Sequence, residues 1–488
     1  MNGVSWTGRL RPTGILTVLG SLSLAGYLAM YAVGVIPLHI HFFFAVLAVL
    51  GGCYFAAIAV VRRQPTSGTP SSFMDSIRIH RRLLLIIGLF AVLFRMALFW
   101  AYPGTTDDFF RYIWDGHLLQ QGINPYAFAP GSDHSIPLRD DYIYPLINHK
   151  HVVTIYPPLL QLGFLLSYQI SPGLYGFKLL PVLFDLGGMA LLVWLLHHYR
   201  RPMGNLVIYA WNPLIVLEFA GNAHIDIFGV FFLLLFVRLM IQHRRMWAAI
   251  ALAASTLTKW VPILLLPFVW RKRRIRDSAV FTGLFLAALV LSYIPFLDAG
   301  PHLFLALKTF ASKWHFNASV FDALFYGIRA VIPDFLIVQY AQFRHLSTEA
   351  AFWPGYRTDL ALAAAKGVTA LVFFAFYVLL WYRADRFRAH RDDRWPYFWF
   401  LLFSAILLLS PTVHPWYLAW LIPFLAFYPV RAFIYLSVAV LMSYHVLPDY
   451  VMNGIWQEHP LIKLLIYVPF FALLFWEWKK RKQAAGRF

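Results

Sequence analysis

Two aspartates stand side by side in the run Thr105-Thr106-Asp107-Asp108-Phe109-Phe110-Arg111-Tyr112-Ile113-Trp114-Asp115-Gly116, directly after the apolar stretch 83–102. Paired carboxylates suit acid–base work, in which one takes a proton from an attacking hydroxyl and its neighbour orients or tunes it. At the end of a stretch long enough to enter a bilayer, ionised carboxylates are costly unless they face a cavity or a partner. If the segment is helical, Asp108, Arg111, Tyr112 and Asp115 recur at i, i+3, i+4 and i+7 and share one face. That face is polar beside a membrane, which a purely structural helix has little use for. The competing reading is a helix-capping acidic pair with an Asp108–Arg111 ion pair; Arg111 could equally bind a phosphate.

Three further places carry polar chemistry between apolar runs. Gly221-Asn222-Ala223-His224-Ile225-Asp226 forms a junction where His224 and Asp226 could hydrogen-bond sugar hydroxyls or a phosphate, or could simply make a polar turn. Lys259 interrupts the apolar stretch 246–270 with no carboxylate beside it in sequence, so a phosphate partner is plausible and snorkelling to the interface is the alternative. His414 lies between Pro411 and Pro415, followed by Trp416 and Tyr417, which could line a site or sit in an interfacial belt.

The elements that must position these residues are membrane helices. Of 488 residues, 60% are hydrophobic and 13% charged, about half the charge of a soluble domain. Lys and Arg number 41 against 22 Asp and Glu, a formal charge of +19. The basic residues fall between apolar runs, where they set topology rather than bind nucleic acid. The single cysteine, Cys53, excludes an intrachain disulfide and a cysteine-built metal site.

Spanning takes about 20 apolar residues. The candidate spans are 13–35, 42–61, 83–102, 176–197, 204–220, 225–242, 279–297, 360–382, 395–410, 414–428, 431–447 and 461–478. Segment 157–170 is too short and is read as lying along the outer membrane face, and 246–270 as two short helices turning near Lys259. With those two assignments the basic clusters at Arg62/Arg63 with Arg78/Arg81/Arg82, Arg200/Arg201, Arg244/Arg245, 271–276, 383–394 and 479–482 all become cytoplasmic. Arg9 and Arg11 precede an uncleaved first helix, both termini are cytoplasmic, and the long loops 103–158 and 298–359 lie outside. One integral membrane domain, 1–488, is expected.

The ordered set of motifs resembles the GT-C glycosyltransferases, and among them the bacterial polyprenol-phosphate-mannose-dependent mannosyltransferases. The resemblance rests on Asp107-Asp108 with Arg111-Tyr112, Trp114-Asp115-Gly116, Asn124-Pro125-Tyr126, Thr154-Ile155-Tyr156-Pro157-Pro158, Trp211-Asn212-Pro213, 221–226, Trp314-His315-Phe316-Asn317 and 410–417. It implies an all-α polytopic membrane protein of GT-C type with about 12–14 membrane helices, its large first outer loop carrying juxtamembrane helices. It implies an inverting transfer of a hexose, mannose by resemblance, from a polyprenyl-phosphate donor to a lipid or glycan acceptor of the cell envelope. By the same match Asp107 is the expected base and Asp108 its nearest substitute. Arg111, Tyr112, Asp115, Asn124, Tyr126, Tyr156, His224, Asp226, Lys259, His414, Trp416 and Tyr417 are the expected substrate-binding residues.

Such chemistry needs a carboxylate base and, for the leaving phosphate, cationic or N–H donors. No cofactor is expected. His39, His41, His134, His149 and His151 lack metal-ligand spacing, so no metal is expected either. A transporter or flippase of lipid-linked sugars is the alternative; it would place paired broken helices in corresponding halves, whereas only 246–270 stands out.

Overall fold

The computed structural model describes residues 12–63, 72–270, 274–384 and 395–485. Arg9, Arg11 and the basic runs 271–273 and 385–394 lie outside them. Among the described residues the chain is helical, the isolated bridge Phe316–Thr412 being its one strand-like pairing. It is an all-α, multi-pass membrane protein. Among the described residues, eight helices are long and apolar enough to cross a bilayer: Pro12–Val33, Ile36–Arg62, Arg81–Phe99, Leu174–His198, Ile275–Lys313, Ala350–Arg383, Arg431–Asn453 and Pro460–Gln483.

Several of the other expected spans are bent, short or broken, and prolines explain the breaks. Met203–Ala210 and Pro213–Gly221 meet at 50°. Pro213 opens the second piece, and Asn212 caps it by accepting from Leu214 N at 3.0 Å. The Asn212 amide also donates to Tyr54 Oη at 2.9 Å and Ser437 Oγ at 2.8 Å, tying three segments at the bend. Asp226–Ile241 has 16 residues and Trp395–Leu409 has 15; the stretch 414–428 breaks into Pro415–Trp420 and Ile422–Leu425, each opened by proline.

The two segments read as non-spanning have that form. Helix Pro158–Ile170 has 13 residues, about 20 Å against a hydrocarbon core of about 30 Å. Arg245–Thr256 turns at 257–260 into Val261–Leu265. Arg245 then pairs with Asp277 at 3.0 Å, and Trp270 Nε1 donates to Thr282 Oγ1 at 2.9 Å. The segment therefore enters and leaves from the same end of the bundle. The loop 298–359 is largely helical, and Val320–Val331 and Asp334–Phe343 build a small apolar cluster of Phe321, Phe325 and Ile337 against Ala361 and Ala365.

Each membrane helix buries an apolar stripe. Phe43, Leu47, Leu50, Tyr54, Ile58 and Val61 form the inner face of Ile40–Arg62. That helix runs from Ile36, packed beside Gly104, to Arg62, which lines a cleft with Arg201, Arg431, Lys480 and Arg481. The polar motifs gather at the first end and these basic residues at the second. At the first end Lys178 donates to the terminal carbonyls of Leu98, at 2.9 Å, and Ala101, fixing where helix Arg81–Phe99 stops and the aspartate segment begins.

The helix Arg81–Phe99 is locked by a buried ion pair. Arg95 Nε meets Asp185 Oδ2 at 2.6 Å, Arg95 Nη1 donates to Ala91 O and Ala210 O, and Tyr209 Oη donates to Asp185 Oδ1 at 2.6 Å. Breaking such a pair leaves an uncompensated charge, worth about 3–5 kcal/mol. Arg95→Met is expected to lower thermal stability in detergent by that order, and a paired Asp185→Leu change to recover most of it. Equal stability of Arg95→Met and wild type would show that the pair does not hold this end.

Candidate active site

Helix Asp108–Gln120 carries the aspartates, and close packing fixes it. A Cβ on Gly116 would lie 2.7 Å from the backbone oxygen of Phe164, so only glycine lets this helix approach Pro158–Ile170 so closely. Beneath that crossing Asp115, fully buried, accepts from Arg111 Nε at 2.9 Å, Thr154 Oγ1 at 2.5 Å and Gln161 Nε2 at 3.1 Å. Asn124 donates to Asp298 Oδ1 at 2.5 Å and Phe296 O at 3.2 Å, and Tyr126 Oη donates to Tyr156 O at 2.5 Å. Asp115, Asn124 and Tyr126 thus stand outside the cavity lining, each bonded to protein partners.

The aspartates themselves open into a cavity of about 820 Å³. Asp107 occupies the helix N-cap position but makes no capping bond, and the Asp108–Arg111 ion pair weighed as the alternative gives way to Arg111–Asp115. The Asn148 amide instead donates to Asp107 Oδ1 at 2.7 Å and Asp108 Oδ1 at 2.9 Å, while Tyr450 Oη donates to Asp107 Oδ2 at 3.0 Å. Asp108 is pushed from the usual 3.8 to about 7 by loss of solvation, then by the charge of Asp107; the Asn148 bond pulls the other way.

Cationic and N–H groups share the cavity wall. Arg111 Nη1 donates to Val152 O at 2.9 Å, and its Nη2 is buried with no protein partner. Lys259, free of carboxylates in sequence, meets Asp226 Oδ1 at 2.8 Å across 33 positions and lies 3.5 Å from the centre of the Tyr417 ring. Trp420 Nε1 donates to the same Asp226 oxygen at 2.6 Å. His414 lines the cavity and stacks on Trp416 at 4.4 Å between centroids. Tyr112, Tyr156, Asp226, Lys259, Trp416 and Tyr417 line the cavity as well. His224 stands behind the lining, stacked on Trp416 at 4.0 Å, with Glu218 Oε2 3.3 Å from its Nε2.

Asn148, Tyr450 and Glu218 escaped the sequence reading. Asn148 is one asparagine in a polar loop, and Tyr450 sits 343 positions from Asp107, so no local pattern marks either. Among the described residues no group of three or more His, Cys, Asp or Glu side chains is arranged to hold a metal ion.

Residues 14–272, more than half of the chain, match the family described as alpha-(1->6)-mannopyranosyltransferase, N-terminal domain. The chain belongs to this family. Alpha-(1->6)-mannopyranosyltransferase A of Mycobacterium tuberculosis is 24% identical over 332 residues, covering 65% of this chain. The chain spans about 60% of the length of that relative. The region matched to the mannopyranosyltransferase family holds Asp107, Asp108, Arg111, Asn148 and Lys259; His414 and Tyr450 lie beyond it.

The raised Asp108 sets a direction for stability. The folded protein keeps a proton that the unfolded chain has released between pH about 4 and about 7, so this group's contribution falls as pH rises through that window. Asp108→Asn is therefore expected to raise the unfolding temperature by a few degrees at pH 8 and to change it little at pH 4.5. An equal shift at both pH values would contradict a raised carboxyl.

Proposed function

We propose that this family member is an inverting glycosyltransferase that moves a hexose, mannose by family, from a polyprenyl-phosphate donor to a glycolipid or glycan acceptor of the envelope. The observation that carries the reading is the adjacent carboxylate pair clamped by Asn148 and opening into a cavity that also holds Lys259, His414 and an unpaired Arg111 nitrogen. Asp107 takes the proton from the acceptor hydroxyl as it attacks the anomeric carbon. The sugar passes through an oxocarbenium-like state, and the lipid phosphate leaves with its growing charge met by Lys259, Arg111 Nη2 and His414. Inversion turns a β-linked lipid-phosphate sugar into an α-glycoside, the linkage in the family's name. Asp108 lies on the Lys259 and Asp226 side, where its raised pKa limits repulsion of the donor phosphate.

The orientation follows from charge. Basic residues gather at the end opposite the cavity, which supports a cytoplasmic far end, cytoplasmic termini and an active site on the outer face. Asp133→Cys in a Cys53→Ser background is expected to react with an impermeant maleimide on intact cells; reaction only after permeabilisation would reverse the orientation.

The decisive assay offers the purified protein a panel of polyprenyl-phosphate sugars, mannose and glucose among them. General-base catalysis contributes about 100- to 10,000-fold. Asp107→Asn is therefore expected to lose at least about 100-fold in turnover with donor affinity kept, and Asp108→Asn to lose less. A dead Asp108→Asn beside an active Asp107→Asn would exchange their roles, and full activity of the double variant would remove the mechanism.

A further inference from the structure

Two contact paths leave Asp107 and meet at one short segment. Along the first, Tyr450 donates to Asp107, the Tyr450 ring packs on Trp456 at 5.2 Å, and Trp456 packs on Phe316 at 5.0 Å. Along the second, Asn148 donates to Asp107, and the ring of the next residue, His149, packs on Trp314 at 5.1 Å. Between Trp314 and Phe316 stands His315, which also lines the cavity. The backbone here is pinned: Phe316 N donates to Pro411 O at 3.0 Å, and Val413 N to Phe316 O at 2.8 Å.

His315 is held for use. Its Nε2 lies 2.6 Å from Asp322 Oδ1, and the carboxylate can only accept, so Nε2 carries the proton. Asp322 is fixed in turn by Lys463, which pairs with Glu458 at 2.9 Å. Glu458 accepts from Asn317 N at 2.7 Å, closing the network on the residue two places from His315. The Nδ1 of His315 has no protein partner among the described residues. Trp456 is 42% exposed and lines the cavity together with Trp314 and His315.

The geometry points to an acceptor subsite, adjoining the donor-phosphate side where Phe316 packs on His414 at 5.0 Å, in which Trp314 and Trp456 take the apolar face of a sugar ring and His315 Nδ1 accepts from one of its hydroxyls. A neutral ring with several hydroxyls fits this wall: indole faces match its C–H surface, and a fixed lone pair orients it. Asp322 is a positioning residue that acts through His315. The inference rests on the glycosyltransferase reading above.

The test uses the full-length protein in detergent, polyprenyl-phosphate mannose as donor and an octyl glycoside of α-(1→6)-mannobiose as acceptor. Trp456→Ala and His315→Ala are each expected to raise the acceptor KM about tenfold, the scale of one well-made contact, with the donor KM unchanged. Asp322→Asn should raise it less, and His315→Asn, whose Oδ1 can stand in for Nδ1, should recover part of the loss. A raised donor KM with an unchanged acceptor KM would overturn the assignment. Equilibrium binding of the tritiated glycoside without donor separates the two readings. If wild type transfers no sugar but binds the glycoside, and Trp456→Ala does not, the transfer mechanism fails and the subsite stands. Transfer by wild type with equal glycoside binding in wild type and Trp456→Ala sinks the subsite alone.

Discussion

Two carboxylates on consecutive residues repel each other, and in a largely apolar cavity that repulsion is weakly screened. The structure answers with one amide: Asn148 spans both aspartates, and Tyr450 holds the outer oxygen of Asp107. Every other feature of this end keeps that arrangement in place. Lys178 fixes where the preceding membrane helix stops, Gly116 lets the aspartate helix settle against its neighbour, and the buried Asp115 takes donors from three segments. A carboxylate so placed is preorganised, which is what a base requires.

The clamp also joins two walls of the cavity. Asp108 faces the Lys259–Asp226 pair and the stacked His414 and Trp416. Asp107 accepts from Tyr450, whose ring leads through Trp456 to Phe316, and Phe316 in turn packs on His414 at 5.0 Å. A charged, partly apolar wall on one side and an aromatic, hydrogen-bonding wall on the other suit two chemically different substrates meeting at one carboxylate pair. The short helix Pro158–Ile170 and the turn at Lys259 flank this cavity.

Much of this was legible in sequence because it is local. Apolar runs and basic clusters located the long helices and the re-entrant 246–270 segment, and the Pro157-Pro158 start marked a helix too short to span. Asp107 and Asp108 were visible as a pair after a span, and Lys259 as a charge inside an apolar run. What escaped is long-range. Asp226 neutralises Lys259 from 33 positions away, and Arg111 chose Asp115 over Asp108 because burial left Asp115 with no other cation. Asn148 and Tyr450 have ordinary types in ordinary contexts, and only the fold brings them to Asp107. His224 was visible by its motif, but its position behind the lining, stacked on Trp416 and 3.3 Å from Glu218, is set by the fold.

The most direct test is a cryo-electron microscopy map of the protein with a non-hydrolysable polyprenyl-phosphate sugar analogue bound. The account requires phosphate density beside Lys259 and His414, with the anomeric carbon between it and the Asp107 carboxylate. Phosphate density against His315 and Trp456, or in the basic cleft at the opposite end of the bundle, would contradict it.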